Sequence, residues 1–392
     1  MNKICDDDIC TGCGLCVAKC PKSAISLDIV GLHYHPVINP KECVDCGACE
    51  RICPNKSHIE LKDNLACYAS WSVDELDHFE SASGGLATTL GKKFIQDGGF
   101  VAGCAWNKNF RATTIVTNDL TQLERFRKSK YVHNYFPKSS YQKILELLKN
   151  EEKVLFVGVP CQCEALKRYV GVERSKNLYL VDILCHGAAS PKLFDDYIAS
   201  IKKQNKIYDI TFRGGKYDCK LCIWKSDEDL LYMGEQFEDP YFWSFMRRTT
   251  YRKSCLCCSF ATEKRVGDLT LADFWGLNKE IVDANDLLRR GVSLVLEHTE
   301  KGKNLLSLIK NDVVLLERPV EEAIKGNDTL RKPTPKPFQY DFLNMVFRCV
   351  GVKKGVLFDL LYLRKSLIPM LKSCIRSMLP EVIVKTIKGK KK

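Results

Sequence analysis

The stretch that decides the N-terminal fold is Cys10-Thr-Gly-Cys13-Gly-Leu-Cys16-Val-Ala-Lys-Cys20-Pro21, and its pattern recurs as Cys43-Val-Asp-Cys46-Gly-Ala-Cys49-Glu-Arg-Ile-Cys53-Pro54. Both copies have the spacing C-x2-C-x2-C-x3-C-P. In such a run a short loop places three thiolates around one face of an iron–sulfur cubane, and the fourth cysteine reaches the other cluster. Zinc sites use four ligands, usually in two pairs, so eight cysteines in this repeat favour two [4Fe–4S] clusters over zinc.

Because the fourth cysteine of each copy is expected to bind the cluster of the other copy, the pattern predicts two ligand sets. One set is Cys10, Cys13, Cys16 and Cys53, and the other is Cys43, Cys46, Cys49 and Cys20. Gly12, Gly14 and Gly47 are expected to let the backbone approach the clusters. Cys5 has no place in the motif and is interpreted as a bystander. His33 and His35, between the two copies, are interpreted as surface or packing residues.

The 21 cysteines of this 392-residue chain raise the question of disulfides. The N-terminus lacks the basic start, apolar core and small-residue cleavage site of a secretory signal. Disulfides are disfavoured without export, so the spacing indicates metal ligands and a cytoplasmic protein. The longest apolar stretch, residues 355–371, is interrupted by Asp359, Arg364 and Lys365, and is not expected to span a membrane.

The net charge of +12 is concentrated at the C-terminus. Residues 336–392 contain 13 Lys and Arg against 3 Asp and Glu, which leaves only +2 for the rest of the chain. A chain-wide nucleic-acid surface is therefore disfavoured. The apolar and basic tail is either a helix for peripheral contact with the inner face of the membrane or with a partner, or a helix packed on the core with a disordered basic end. Pro369 is expected to break any single long helix there.

The rest of the chain predicts a mixed α/β architecture. Strand-length apolar runs lie at Phe100 to Trp106, Lys153 to Val159, Leu178 to Leu184, Asp209 to Arg213, Asp268 to Phe274 and Val292 to Glu297. Helical patterns lie at Gly85 to Gln96, Tyr141 to Leu148 and Cys161 to Tyr169. The predicted fold is α+β and α/β: a small bacterial-type ferredoxin domain (1–62), an α/β domain with a mixed sheet (67–335) and a helical basic tail (336–392). A Pro-rich basic linker, Arg331 to Pro337, precedes the tail.

A second group of cysteines lies in the α/β region. Cys161 follows a predicted strand where a helix begins, a position expected to lower its pKa and favour the thiolate. Cys185 ends another strand, and Cys255 and Cys258 form a C-x2-C pair. These four are enough for a third cluster; the alternative is buried apolar cysteines with one accidental pair.

Seven segments in the same region carry a resemblance to a known family. They are Ser81-Ala-Ser-Gly-Gly-Leu86, Lys128-Ser-Lys-Tyr131, Val159-Pro-Cys-Gln162, Leu184-Cys-His-Gly187, Tyr251-Arg-Lys-Ser-Cys255, Arg265-Val-Gly-Asp-Leu-Thr-Leu-Ala-Asp-Phe-Trp-Gly276 and Gly291-Val-Ser-Leu-Val295. Together they resemble, in order, the beta subunits of hydrogenases and dehydrogenases that use the deazaflavin coenzyme F420. The resemblance covers roughly residues 65–310 and includes a ferredoxin unit in front.

This resemblance implies a flavin, FAD, and a third [4Fe–4S] cluster. By position, the residues resembling the flavin pocket are Ser83, Gly84, Gly85, Ser129, Lys130 and Tyr131. Small residues opening a helix present amides to a phosphate, and a lysine can pair with it; the alternatives are a helix N-cap and a solvated loop.

The family pattern also places cluster ligands at Cys161, Cys185, Cys255 and Cys258, with Cys163 and Cys257 as neighbours able to substitute. Asp273, within the family's aspartate-rich strand, either orients the site or caps a strand end. The chain departs from the family at Arg127-Lys128, where a glycine is usual, and this is expected to alter the loop that meets the flavin.

These observations favour an oxidoreductase that passes electrons between a ferredoxin-type carrier or redox partner protein and a small-molecule substrate, through clusters and flavin. Coenzyme F420 and a surface-glycan intermediate are the candidate substrates. An electron-relay subunit without its own substrate is the alternative, and a binding module with structural clusters is a third hypothesis.

Overall fold

The computed structural model of the chain describes residues 3–278 and 291–378. It contains helices and strands arranged around a mixed sheet, as the sequence predicted. Within these residues no helix is both long and apolar enough to cross a membrane.

The N-terminal unit is built as two similar halves. Each half contains a loop followed by a short helix, α1 (Leu15–Lys19) in the first and α2 (Ala48–Arg51) in the second. A glycine in the left-handed region precedes each helix, Gly14 at φ 80° and Gly47 at φ 68°. Strands β1 (Ile25–Val30) and β2 (His33–Ile38) form an antiparallel hairpin between the halves.

The central sheet has eight strands. They are β3 (Ala66–Ser72), β4 (Phe100–Trp106), β5 (Ala112–Thr117), β6 (Val154–Gly158), β7 (Leu178–Ile183), β11 (Leu269–Asp273), β12 (Ser293–Glu297) and β13 (Val313–Glu317). Their order is β13-β3-β12-β11-β7-β6-β4-β5. Strands β4, β6, β7 and β11 run parallel, and the remaining neighbouring pairs are antiparallel. The carboxyl ends of the four parallel strands and of β3 therefore share one edge of the sheet.

Helices cover the sheet and extend it. They are α3 (Glu75–Glu80), α4 (Leu86–Gln96), α5 (Lys138–Lys149), α6 (Pro160–Val170), α7 (Pro191–Lys202), α8 (Pro240–Met246), α9 (Glu300–Leu308), α10 (Val320–Gly326) and α11 (Tyr340–Met378). One face of the sheet packs on α5 and α6, and the other on α4 and α9. The apolar stripes of these helices bury against the sheet, which is the arrangement expected for alternating helices and strands.

A smaller antiparallel sheet lies beside the main one. It contains β8 (Asp209–Thr211), β9 (Lys220–Trp224) and β10 (Leu230–Glu235), in the order β10-β9-β8. It shares an aromatic core with α7, α8 and the first part of α11. Tyr241, Phe242 and Phe245 are buried in this core.

The C-terminal helix begins after the Pro-rich linker, whose residues 333–337 have no regular structure. Leu343 and Phe347 of α11 lie in the aromatic core, so the first part of the tail packs on the protein. The helix changes direction at Gly351 (φ 72°), not at a proline. The helix continues through Pro369, so the predicted break at that proline is wrong. The terminal lysines lie outside the described residues.

The N-terminal unit is bonded to the α/β region. The Tyr141 hydroxyl donates to the Cys13 carbonyl at 2.9 Å, and the Ser190 hydroxyl donates to the Leu32 carbonyl at 2.6 Å. Lys62 Nζ donates to the carbonyls of Val266 and Gly267.

Candidate functional site

Two cavities in the N-terminal unit are lined by the cysteines of the repeated motif. The first is lined by Cys10, Cys13, Cys16 and Cys53, together with Cys5. The second is lined by Cys20, Cys43, Cys46 and Cys49. We call these four-residue groups the first and second cysteine sets. Each set contains three cysteines from one motif copy and the fourth from the other, so the structure brings together the residues that cross-ligation groups.

The glycines of the first loop allow its close approach to the α/β region. Gly12 has φ 66°, and a Cβ placed on it would lie 2.5 Å from His133 Cε1. A Cβ on Gly14 would lie 2.7 Å from the Phe136 carbonyl oxygen. The requirement for glycine therefore comes at least in part from packing against the neighbouring domain, which the motif alone does not predict.

Cys5, which was interpreted as a bystander, lies against the first set. It is buried and lines the same cavity. Hydrogen bonds with Cys10 and Cys53 raise the pKa of the Cys5 thiol well above its ordinary value, while the same contact with Cys5 lowers the pKa of Cys10 to about 3. Cys5 is thus a buried thiol in contact with two of the predicted ligands.

A third group of cysteines lies near the carboxyl ends of β6 and β7. It consists of Cys161 in the first turn of α6, Cys185 two residues after β7, and Cys255 and Cys258 from one loop. We call it the central cysteine set. Burial, followed by the neighbouring thiols, raises the pKa of Cys185 to about 12 and that of Cys161 well above its ordinary range. The four side chains therefore converge, although they come from three separate segments.

The expectation that the helix N-terminus would lower the pKa of Cys161 is wrong for this environment. Loss of solvation outweighs the helix dipole, and the three other thiols add to the rise. Four crowded, buried thiols become thiolates together only when positive charge is supplied, as a coordinated metal does.

The two neighbouring cysteines differ from the central set in their surroundings. Cys163 is fully buried in the core beneath the sheet, with its sulfur 3.7 Å from the Gly158 carbonyl oxygen. Cys257 is exposed, and its sulfur lies 3.8 Å from the Ser254 carbonyl oxygen. Among the described residues, no three His, Cys, Asp or Glu side chains are grouped to hold a single metal ion.

Tyr141 connects the first and central sets. Its hydroxyl is bonded to the Cys13 carbonyl, and burial followed by Cys13, Cys16 and Cys161 raises its pKa well above the ordinary value. Cys13 also contributes to the electrostatic environment of Cys161. The first set therefore adjoins the central set.

The segment Ser83-Gly84-Gly85 lies at the carboxyl edge of the sheet and leads into α4. Ser83 has φ 74°, a left-handed conformation that is uncommon for a residue with a side chain. A Cβ on Gly84 would lie 2.4 Å from the Ser70 carbonyl oxygen, and the Gly84 amide donates to Ser293 Oγ at 2.9 Å. Gly84 is therefore required for close packing between β3 and β12.

The segment Lys128 to Tyr131 contacts the same edge. Lys128 and Ser129 have φ values of 68° and 46°, left-handed values that glycine adopts most readily. Lys128 pairs with Glu80 at 3.0 Å, which ties this loop to the helix that precedes Ser83. Lys130 Nζ donates to the carbonyls of Arg125 and Arg127, and burial lowers the Lys130 pKa to about 8.

An arginine that the sequence did not single out joins two predicted residues. Arg213 Nη1 donates to the Tyr131 hydroxyl at 3.2 Å and to Asp273 Oδ2 at 3.1 Å. Asp273 is the last residue of β11, and its ion pair with Arg213 therefore lies at the edge of the sheet. Nearby, Trp275 is half exposed and its ring lies 5.2 Å from that of His186.

Sequence reasoning also missed Arg252, although it lies within a family-like segment. Its side chain is 2% exposed, and Nε donates to the Cys10 carbonyl. The signal was its position three residues before Cys255, but its partner lies more than 240 residues away in the chain.

Comparison with known proteins identifies two matching family models. One model matches residues 151–323 and describes the C terminus of the coenzyme F420 hydrogenase/dehydrogenase beta subunit. The model described as a 4Fe-4S dicluster domain matches residues 9–57.

Three curated relatives extend these matches. The F subunit of the F(420)H(2) dehydrogenase of Methanosarcina mazei is 21% identical over 369 residues, which cover 87% of this chain and 96% of that protein. Coenzyme F420-dependent sulfite reductase of Methanocaldococcus jannaschii is 26% identical over 179 residues, or 43% of this chain and 26% of that protein. A ferredoxin of Saccharopolyspora erythraea is 36% identical over 80 residues, or 20% of this chain and 70% of that protein.

Proposed function

Because the chain belongs to the family of coenzyme F420 hydrogenase/dehydrogenase beta subunits and carries a 4Fe–4S dicluster domain at its N-terminus, we propose that it is an iron–sulfur flavoprotein oxidoreductase. It exchanges electrons with a ferredoxin-type carrier or redox partner protein and reduces or oxidises a small substrate. Bound clusters supply one-electron transfer, and a bound flavin couples it to two-electron chemistry.

The observation that carries this proposal is the serial arrangement of the three cysteine sets. The second and first sets share the N-terminal unit, and Cys13 of the first set adjoins Cys161 of the central set through Tyr141. The central set in turn lies at the carboxyl edge of the parallel strands, where α/β sheets bind their ligands. A chain with only structural clusters has no need for this order.

The twelve cysteines are proposed as the cluster ligands, four to each cubane. The sets fit this role because each is a convergent group of four thiols, and two of the groups surround cavities. Cys163 and Cys257 are left out of the proposed ligands of the central cluster, because Cys163 is buried in the core with its sulfur at the Gly158 carbonyl and Cys257 is exposed.

FAD is proposed to bind along the sheet edge between the segments Ser83 to Gly85 and Ser129 to Tyr131. Support comes from their shared location and from three left-handed residues that carry side chains, Ser83, Lys128 and Ser129. Such conformations concentrate at ligand sites. Lys130 and Gly84 are proposed to shape this pocket, since their polar groups are already bonded to backbone and side-chain atoms of the protein.

The proposal also includes the substrate, the domain division and the location of the chain. Coenzyme F420 is the leading substrate, since two relatives are named for its use, and a surface-glycan intermediate is the other. The domain division 1–62, 67–335 and 336–392 is retained as part of the proposal. The chain is proposed to be cytoplasmic, with the C-terminal tail as the contact to a partner or to the inner face of the membrane.

Anaerobic purification with iron, acid-labile sulfide and flavin counts tests the proposal. Three cubanes and one flavin require about 12 iron atoms and one FAD per chain. About 8 iron atoms without flavin would contradict it and favour the relay subunit or the binding module.

Adjacent cysteines offer a matched pair of variants. Cys258→Ala is expected to lose about 4 iron atoms, because it removes a ligand of the central cluster. Cys257→Ala is the control and should retain the full count, since Cys257 is exposed and lies outside the proposed ligand set. Equal iron contents in the two variants would contradict the central ligand assignment.

A further inference from the structure

Arg252 lies between the first and central cysteine sets. Its side chain is buried, and Nε donates to the carbonyl of Cys10 in the first set. Its own carbonyl accepts from the Cys255 amide at 3.0 Å, and Cys255 belongs to the central set. The backbone of Arg252 is fixed further by its amide, which donates to the Ala188 carbonyl at 2.9 Å.

No carboxylate of the described residues pairs with the guanidinium. Nη2 lies 3.4 Å from the ring nitrogens of His35, and Nη1 is buried without any hydrogen-bond partner. A Cβ on Gly12 would lie 3.1 Å from Nη1, so this nitrogen faces the loop of the first set. A buried and unpaired charge is strongly unfavourable unless something nearby compensates it.

Neighbouring histidines do not compensate the charge. Burial, with Arg252 adding to the effect, lowers the pKa of His133 to about 3 and that of His33 well below its ordinary value. Both rings are therefore neutral near pH 7. The guanidinium acts electrostatically on Cys10 of the first set and on Cys255 of the central set, and thiolate-bound clusters are anionic.

We propose that Arg252 is the counter-charge shared by the clusters of the first and central sets, and that it raises the reduction potentials of both. The inference rests on the proposed function, because it requires clusters at both sets. Reduction adds one electron, and hence one negative charge, to a cluster. A fixed guanidinium stabilises that added charge without uptake of a proton, since arginine stays protonated.

The second set provides an internal reference. Arg252 contacts a residue of the first set and one of the central set, while none of its hydrogen bonds reaches Cys20, Cys43, Cys46 or Cys49. Removal of the charge should therefore lower two of the three potentials and leave the third in place. A rearrangement of the whole N-terminal unit would move all three.

The test is a redox titration monitored by electron paramagnetic resonance on the anaerobically purified full chain. Arg252→Gln and Arg252→Met remove the charge, and Met avoids a new unpaired polar group in the buried position. Arg252→Lys keeps a positive charge without the guanidinium fork. Lys253→Gln is the matched control, because it removes the adjacent but half-exposed charge that pairs with Asp8.

In the neutral variants, we expect the reduction equilibria of two clusters to shift about tenfold toward the oxidised form, as a unit charge nearby in a protein environment can produce. For a one-electron couple this is ~59 mV. Arg252→Lys should retain most of the wild-type potentials, and Lys253→Gln should retain all of them.

Three results would overturn the proposal. The first is a full iron content in a neutral variant with unchanged potentials. The second is an equal shift of all three potentials. The third is loss of iron in both neutral variants, which would assign Arg252 a structural role. A wild-type protein with only about 8 iron atoms would instead refute the proposed function.

Discussion

Replacement of Asp182 by asparagine should destabilise the α/β region and loosen the central cysteine set. Asp182 is fully buried on β7 and accepts four hydrogen bonds. Two come from Arg265, with Nη2 at 2.7 Å and Nε at 3.1 Å. The others come from the Gly267 amide at 2.8 Å and the Thr270 hydroxyl at 2.9 Å. Arg265 Nη1 donates at 2.7 Å to the carbonyl of Phe260, two residues beyond Cys258.

The magnitude follows from the charge that the substitution leaves behind. Asp182→Asn has nearly the same shape but leaves the Arg265 guanidinium buried without a counter-ion. Breaking a buried ion pair in this way costs about 3–5 kcal/mol. Each kcal/mol lowers the thermal midpoint of a domain of this size class by about 2–4 °C. We therefore expect a decrease of roughly 6–20 °C and loss of about 4 iron atoms.

The assay is thermal unfolding at one scan rate with an iron count on the same preparation, since unfolding of such a protein is a kinetic measurement. Asp229→Asn is the control, because it breaks the exposed Lys225–Asp229 pair, whose bond measures 2.9 Å. Exposed pairs contribute about 0–1 kcal/mol. The double variant Asp182→Asn with Arg265→Met removes the stranded charge and should recover part of the loss.

A midpoint for Asp182→Asn equal to that of Asp229→Asn would refute the reasoning that a buried charge pair holds this region together. A double variant no more stable than Asp182→Asn would show that packing, and not the stranded charge, accounts for the loss.

Three further predictions concern single positions. Gly84→Ala should destabilise the protein by about 1–3 kcal/mol and so lower its thermal midpoint, because its Cβ would meet backbone atoms at 2.4 and 2.9 Å. Gly91→Ala within α4 should cost less, because its Cβ would come closest to the end of the Leu123 side chain, at 3.3 Å; equal midpoints would contradict this. Lys128→Gly should be more stable than Lys128→Ala by about 1 kcal/mol and so unfold at a higher temperature. Both variants lose the ion pair with Glu80, but only alanine pays for the left-handed backbone conformation at this position. Burial lowers the pKa of His298 to about 4 from its ordinary value of 6.5, so its contribution is full above pH 6.5 and is lost as the pH falls toward 4. Between pH 7.5 and pH 5 the loss is about 2 kcal/mol, and His298→Gln should flatten the pH dependence of the midpoint by that amount; an unchanged slope would contradict the assignment.

Much of the local structure could be predicted from residue patterns. The apolar run Phe100 to Trp106 is the full extent of β4, and the predicted helix Gly85 to Gln96 begins one residue before α4. These predictions succeed because helix and strand periodicity depend on near neighbours. Strands β3, β5 and β13 were not recognised, since the sheet order that inserts β3 between β12 and β13 depends on distant pairing.

The side-chain environment was the least predictable property. Cys161 does begin a helix, yet burial reverses the expected direction of its pKa shift. Lys130 lies in the segment expected at the flavin, but its ammonium group is bonded to two backbone carbonyls. In both cases the deciding groups lie outside the motif in which the residue was recognised.

The sequence by itself determined the two motif copies and the grouping of their eight cysteines, because a cubane requires ligands at short, regular spacing. Only the tertiary structure decided how the sets adjoin, how deeply each neighbouring cysteine is buried, and where Arg252 and Arg265 place their charges. The physical reason is the separation along the chain of the residues that decide each property. Ligand spacing in a loop is local, whereas the burial and pairing of a charge depend on residues that folding brings together from 83 to 242 positions apart.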